Sequence, residues 1–69
     1  MMRDLENLSG VGIDRAFLED MIDHHMGAIM MANAVQEYIE HDEMRELTKN
    51  ILDTQTKEIV EMRQLLREI

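Results

Sequence analysis

Met21-Ile22-Asp23-His24-His25-Met26-Gly27-Ala28-Ile29-Met30-Met31 holds two of the three histidines and four of the eight methionines of a 69-residue chain. No proline or β-branched run interrupts it, and Gly27 is its one weak helix former. Outward from this stretch the apolar residues keep an alternating spacing of four and three. Phe17, Met21, His24, Ala28, Met31, Val35 and Tyr38 form one row; Leu18, Ile22, His25, Ile29, Ala32 and Ile39 form a second beside it. That is the helical period, and two adjacent rows make a broad buried face. The pattern predicts a helix over about residues 14–40, with Asp14 as its N-cap. Both histidines then sit on or at the margin of the core side.

His41-Asp42-Glu43 is the expected break, and the two acids suit the positive end of a following helix. That helix is expected over about residues 43–68. Its row is Met44, Thr48, Ile51, Gln55, Glu58, Met62, Leu65 and Ile69, widened by Leu47, Leu52, Ile59 and Leu66. Gln55 and Glu58 are out of place there, because a buried carboxylate needs a partner. An antiparallel hairpin turning near residues 41–42 brings Met21 level with Met62, His25 with Glu58, and Ala28 with Gln55. The polar positions of both helices therefore meet in one layer. Two helices cannot bury two broad faces against each other alone. The expected fold is an all-α antiparallel hairpin that completes a four-helix bundle as a homodimer or higher homo-oligomer.

Composition sets the bounds. A chain this short is marginal alone and usually needs disulfides, a metal or a partner chain. It has no cysteine, so disulfides and thiolate metal sites are excluded. The net charge of −8 suits cations and argues against nucleic acid and anionic membrane surfaces. The apolar runs are too short and too interrupted to span a bilayer, so no membrane insertion is expected. Residues 1–12 read as a leader. Met1, Leu5 and Leu8 allow a short helical turn, Ser9-Gly10-Val11-Gly12 interrupts it, and there is no apolar core of a signal peptide. Residues 13–69 read as a single hairpin domain.

His24 and His25 lie about 100° apart on a helix, so they do not readily share one ion. Met21 is within one turn of either. Met21, one histidine, Met62 and Glu58 or Gln55 make a reasonable ligand set, in which thioether selects Cu(I) or Ag(I) while imidazole and carboxylate tolerate Cu(II) or zinc. The alternative is that the methionines fill core space and a histidine hydrogen-bonds Glu58 across the helices. Met26 and Met30 fall on the opposite, more polar face, as a weaker metal site or a contact patch. His41 reads as a capping or surface residue. Catalysis has no motif: Glu-x-x-His, His-Glu-x-x-His and a phosphate-cradling glycine loop are all absent, and Ser9 is the only serine. No enzyme activity is expected.

Asp14-x-x-Phe17-x-x-x-Met21-Ile22-x-His24-His25-x-x-Ala28-Ile29-x-Met31-Ala32 resembles the first helix of the ferritin-like family called domain of unknown function 305. Leu47-x-x-x-Ile51-x-x-x-Gln55-x-x-Glu58-Ile59-x-x-Met62 resembles its second helix. The resemblance implies a helical, often exported protein, with a periplasmic or extracytoplasmic home, and some members carry copper on Met and His. It implies ligand roles for Met21, His24, His25, Met31 and Met62, with Gln55 and Glu58 as ligands or as groups that orient them. The chain departs from the family in Met26 and Met30, which add thioether, and in Asp23 where proline is frequent. The combined expectation is a copper- or silver-binding protein for sequestration or resistance. The alternative is a structural or interaction module whose His/Glu/Gln layer only fixes helix register.

Overall fold

The helical spacing of both apolar rows favours helix, and a chain without proline meets no steric stop to one. The computed structural model describes residues 10–69. Over them the order is helix α1, Gly10–Val35; a 3₁₀ turn, Gln36–Tyr38; and helix α2, Asp42–Glu68. The helices run antiparallel: His25 bonds to Glu58 near the middle, and Arg15 near the start of α1 donates to the carbonyl of Leu66 near the end of α2 at 3.4 Å. At 1.5 Å rise per residue each helix is about 40 Å long, which accounts for the 45 Å long axis of the molecule.

Two boundaries differ from the expected ones. Helix α1 begins at Gly10, so Asp14 stands inside it and is not its N-cap, and Gly12 is carried within the helix. Packing outweighs the weak propensity of glycine here, since Ile13 is half-buried and Ala16 buried. Gly10 is the described residue with positive φ, at 60°, a conformation open to glycine. The expected turn at Met1, Leu5 and Leu8 lies outside the described residues. At its other end α1 stops at Val35 instead of continuing to about residue 40, and Ile39 and His41 are extended.

Arg45 holds that connection. Its guanidinium donates to the Ile39 carbonyl at 2.9 Å and to Asp42 at 2.7 Å. The His41 carbonyl accepts from the amides of Met44 and Arg45, both at 3.1 Å, closing the first turn of α2. His41 occupies the N-cap position without a side-chain cap bond, and Asp42 and Glu43 bring negative charge to the helix start as expected.

Only one of the two rows of α1 faces α2. Ile22 and Ala32 are buried, with Leu18, His25 and Ile29 half-buried along the same stripe; across from them Ile59 is buried and Leu52 and Leu66 half-buried. Thr48 is buried as well, and its hydroxyl lies 3.0 Å from the carbonyls of both Met44 and Arg45. The other row is more open, with Met21 and Ala28 half-buried at its middle. Phe17 is 48% exposed, Met31 69% and Tyr38 81%. A helix touches a single partner along one stripe, so the second row stays outside the hairpin. Among the described residues, no helix is long and apolar enough to cross a membrane.

Ile59, at 7% exposure, anchors the contact line from α2. Ile59→Ala is expected to destabilise the chain by about 2–5 kcal/mol, a large part of the stability of so small a domain. Val60→Ala, at an exposed neighbour, is expected to stay within about 0.5 kcal/mol. Urea unfolding followed by far-UV circular dichroism measures both.

Candidate functional site

The adjacent histidines divide between two environments because 100° of helix rotation separates them. His25 lies on the contact stripe, its side chain 11% exposed. Its Nδ1 is 2.8 Å from the carbonyl oxygen of Met21, one turn earlier, and its Nε2 is 2.7 Å from Oε1 of Glu58 on α2. A carbonyl only accepts, so Nδ1 carries a proton and donates it. The contact to Glu58 holds one further proton, borne by Nε2 or by the carboxyl group. Both nitrogens of His25 are therefore engaged, and the ring is fixed from both ends. His24 makes no hydrogen bond among the described residues and is exposed.

Around the His25–Glu58 bond the two helices leave an open groove of about 360 Å³. It is lined by Phe17, Met21 and His25 from α1 and by Glu58, Glu61, Met62 and Leu65 from α2. The expected levelling of Met21 with Met62 and of His25 with Glu58 is thus present. A neighbouring groove of about 420 Å³ holds His24 and Met31 with Asp23, Gly27 and Ala28. Gln55 is half-buried, one turn before Glu58, and lines neither. The seven sequence-derived site residues therefore split: Met21, His25, Glu58 and Met62 share one groove, His24 and Met31 another, and Gln55 stands apart.

On the other side of the hairpin Met26 and Met30 line a third groove with Ile29, Thr56, Ile59, Val60 and Arg63. Arg63 Nη2 donates to the Met26 sulfur at 3.9 Å. Sequence reasoning missed Glu61 and Asp23 as groove residues. Their signal is spacing: Glu61 follows Glu58 by three and Asp23 precedes Met26 by three and Gly27 by four, each one turn from a position already singled out. Among the described residues, no three histidine, aspartate or glutamate side chains gather as a metal site. The groove is lined instead by two thioethers, Met21 and Met62, beside the bonded His25–Glu58 pair, with Glu61 also among its lining residues.

The family described as Domain of unknown function (DUF305) matches residues 1–66 of the chain. The chain belongs to the DUF305 family. The resemblance read from the paired histidines, the flanking methionines and the Gln55–Glu58 spacing therefore holds. No curated protein and no solved structure matches the chain. Within this DUF305 chain the His-His pair is one inward ring, held at both nitrogens, and one outward ring.

That division has a spectroscopic signature. In imidazole ¹⁵N spectra of the DUF305 chain, His25 is expected to show a protonated Nδ1, held on the Met21 carbonyl. Glu58→Leu is expected to move the His25 Nε2 resonance and leave His24 unchanged. An equal response of both rings would contradict the placement of His25 against Glu58.

Proposed function

We propose that this DUF305 protein binds a soft metal ion, Cu(I) or Ag(I), in the groove between α1 and α2, for sequestration and not for catalysis. We further propose that it acts as a homo-oligomer whose hairpins complete a ferritin-like four-helix bundle. The observation that carries the metal reading is the convergence of Met21 and Met62 with His25 and Glu58, from both helices, on one open groove. Thioether sulfur is a soft donor that favours monovalent copper or silver, and imidazole is acceptable to either oxidation state of copper. The exposed carboxylates of this acidic chain raise the local cation concentration.

The donor set fits such an ion on one condition. Met21 and Met62 keep their sulfur lone pairs in any protonation state. His25 can ligate through Nε2 only when its bond to Glu58 opens, and the Nδ1 bond to the Met21 carbonyl keeps the ring aimed at the groove. Glu58, with a side chain 46% exposed, then either joins the ligands or turns to water. His24 and Met31, in the adjoining groove, supply a further imidazole and thioether.

A second reading is favoured by the same His25–Glu58 bond. A polar pair at the contact line can fix helix register and do nothing else. Titration of the metal-free protein with Cu(I) against a competing chelator, with native mass spectrometry, separates the two. The metal reading expects whole-number stoichiometry, and a loss of roughly tenfold or more in affinity in Met21→Leu and in Met62→Leu with helicity retained. If the chelator keeps the copper while the protein stays helical, the metal reading falls. The register reading instead expects Glu58→Leu to lose a defined oligomeric state whether or not copper is present.

A further inference from the structure

Met26 of α1 and Arg63 of α2 meet across the hairpin, away from the Met21–Met62 groove. Arg63 Nη2 lies 3.9 Å from the Met26 sulfur and donates to it. A guanidinium is a strong, permanently charged donor, whereas a thioether is a weak acceptor. The contact therefore uses little of what Arg63 can give. The groove around it, about 250 Å³, is apolar apart from Arg63 and Thr56.

Met26 is also 42% exposed, so an oxidant in water reaches its sulfur. With a hydroperoxide, a sulfur lone pair attacks the hydroxyl oxygen and an S–O bond forms as the O–O bond breaks. The remaining oxygen leaves with the peroxide proton, as water or an alcohol. The sulfur is oxidised by two electrons and the peroxide is reduced by two. The product is a polar, chiral sulfoxide in place of an apolar thioether. Its oxygen is one bond from a sulfur already 3.9 Å from Nη2. Rotation of the flexible methionine tip brings that oxygen into ordinary hydrogen-bond range, about 2.7–3.2 Å.

We propose that Met26 is a site of reversible sulfoxidation by hydroperoxides, and that Arg63 captures the sulfoxide oxygen and ties α1 to α2. Methionine oxidation ordinarily loosens packing, because it puts a polar group where an apolar one belonged. Here the new oxygen meets a charged donor, and a charge-assisted bond replaces a weak one. Without Arg63 the oxygen faces Ile29, Ile59 and Val60 or turns out to water. The bonded residues belong to different helices, so oxidation strengthens the hairpin on this side. Met30 lines the same groove and is 70% exposed, so it oxidises too, but the Met26 sulfur is the one already set against a donor. Sulfoxide reductases reverse the change. The proposal does not depend on the metal reading, whose thioethers Met21 and Met62 line a separate groove.

The test treats the metal-free chain with hydrogen peroxide and follows each methionine by peptide mass spectrometry. Met30 and Met31, 70% and 69% exposed, are expected to convert first and Met26 to follow. Urea unfolding of the parent chain, Met26→Leu, Arg63→Ala and the double variant measures the coupling of the two positions. Oxidation is expected to raise that coupling roughly three- to tenfold in the unfolding constant, the range of a partly solvated charge-assisted bond. Arg67→Ala, outside this groove, is expected to leave the rise intact. A second readout needs only folded, partly oxidised chain. Methionine sulfoxide reductase is expected to restore Met26 several-fold faster in Arg63→Ala than in the parent, and Met31 equally fast in both. Three results each overturn the proposal: Met26 left as thioether after Met30 and Met31 have converted, a coupling unchanged by oxidation, or restoration of Met26 at the same rate with and without Arg63.

Discussion

Two helices about 40 Å long meet along one stripe each, and the arrangement of this chain turns on which stripe α1 gives to α2. It gives Leu18, Ile22, His25, Ile29 and Ala32, and keeps Phe17, His24, Met31 and Tyr38 outside. Because His24 and His25 are adjacent, a contact line can run through only one of them. Its passage through His25 makes that ring a structural bridge to Glu58 and leaves the other ring free. The same choice sets Met21 and Met62 at the edge of the contact, where they line a groove and are not sealed in a core. Site and unpaired face are thus two results of one packing choice.

The His25–Glu58 bond sits where structure and ligand binding compete. Its imidazole is nearly covered while its carboxylate is about half open to water. A hydrogen bond between partly solvated groups of this kind contributes about 1–3 kcal/mol at most, and less once water screens it. Breaking it leaves Glu58 solvated and not stranded, which keeps the cost of exchange low. The Nδ1 bond to the Met21 carbonyl is local to α1 and survives that exchange. A ring that can swap one partner while the other keeps it aimed is suited to a reversible site. A fully buried pair would be suited only to register.

The helical pair was legible because its signals are periodic and summed over many residues. Eleven positions of α1 follow two rows at helical spacing, and the lone acidic break at residues 41–43 leaves few alternatives for the turn. The level pairing of His25 with Glu58 followed from turn position alone. The boundaries were less legible. Gly10 and Gly12 argued for a stop before Asp14, yet the packing of Ile13 and Ala16 carries the helix through. The tightening at Gln36–Tyr38 and the Arg45 tie to Ile39 depend on tertiary geometry that no local propensity encodes. Which row of α1 would face α2 was also hidden, since both rows have the same period and similar apolar content.

The unpaired face and the groove are energetically connected in the proposed dimer. The open row of α1 borders the His25–Glu58 groove through Phe17 and Met21, so association over that row would withdraw water from this layer. A carboxylate losing its hydration needs a compensating partner. In the metal-free chain that partner is the His25 ring, across the one proton the two groups share; with the proposed metal bound it would be the cation, which would leave the imidazole lone pair free to ligate. Whichever partner Glu58 prefers once dehydrated, the preference acts on both equilibria. If the cation satisfies the layer better than the proton does, metal tightens the dimer, and by linkage the dimer tightens metal by the same factor. Neutral thioethers strengthen this coupling, because they add affinity for a soft ion without adding charge that closure would have to desolvate.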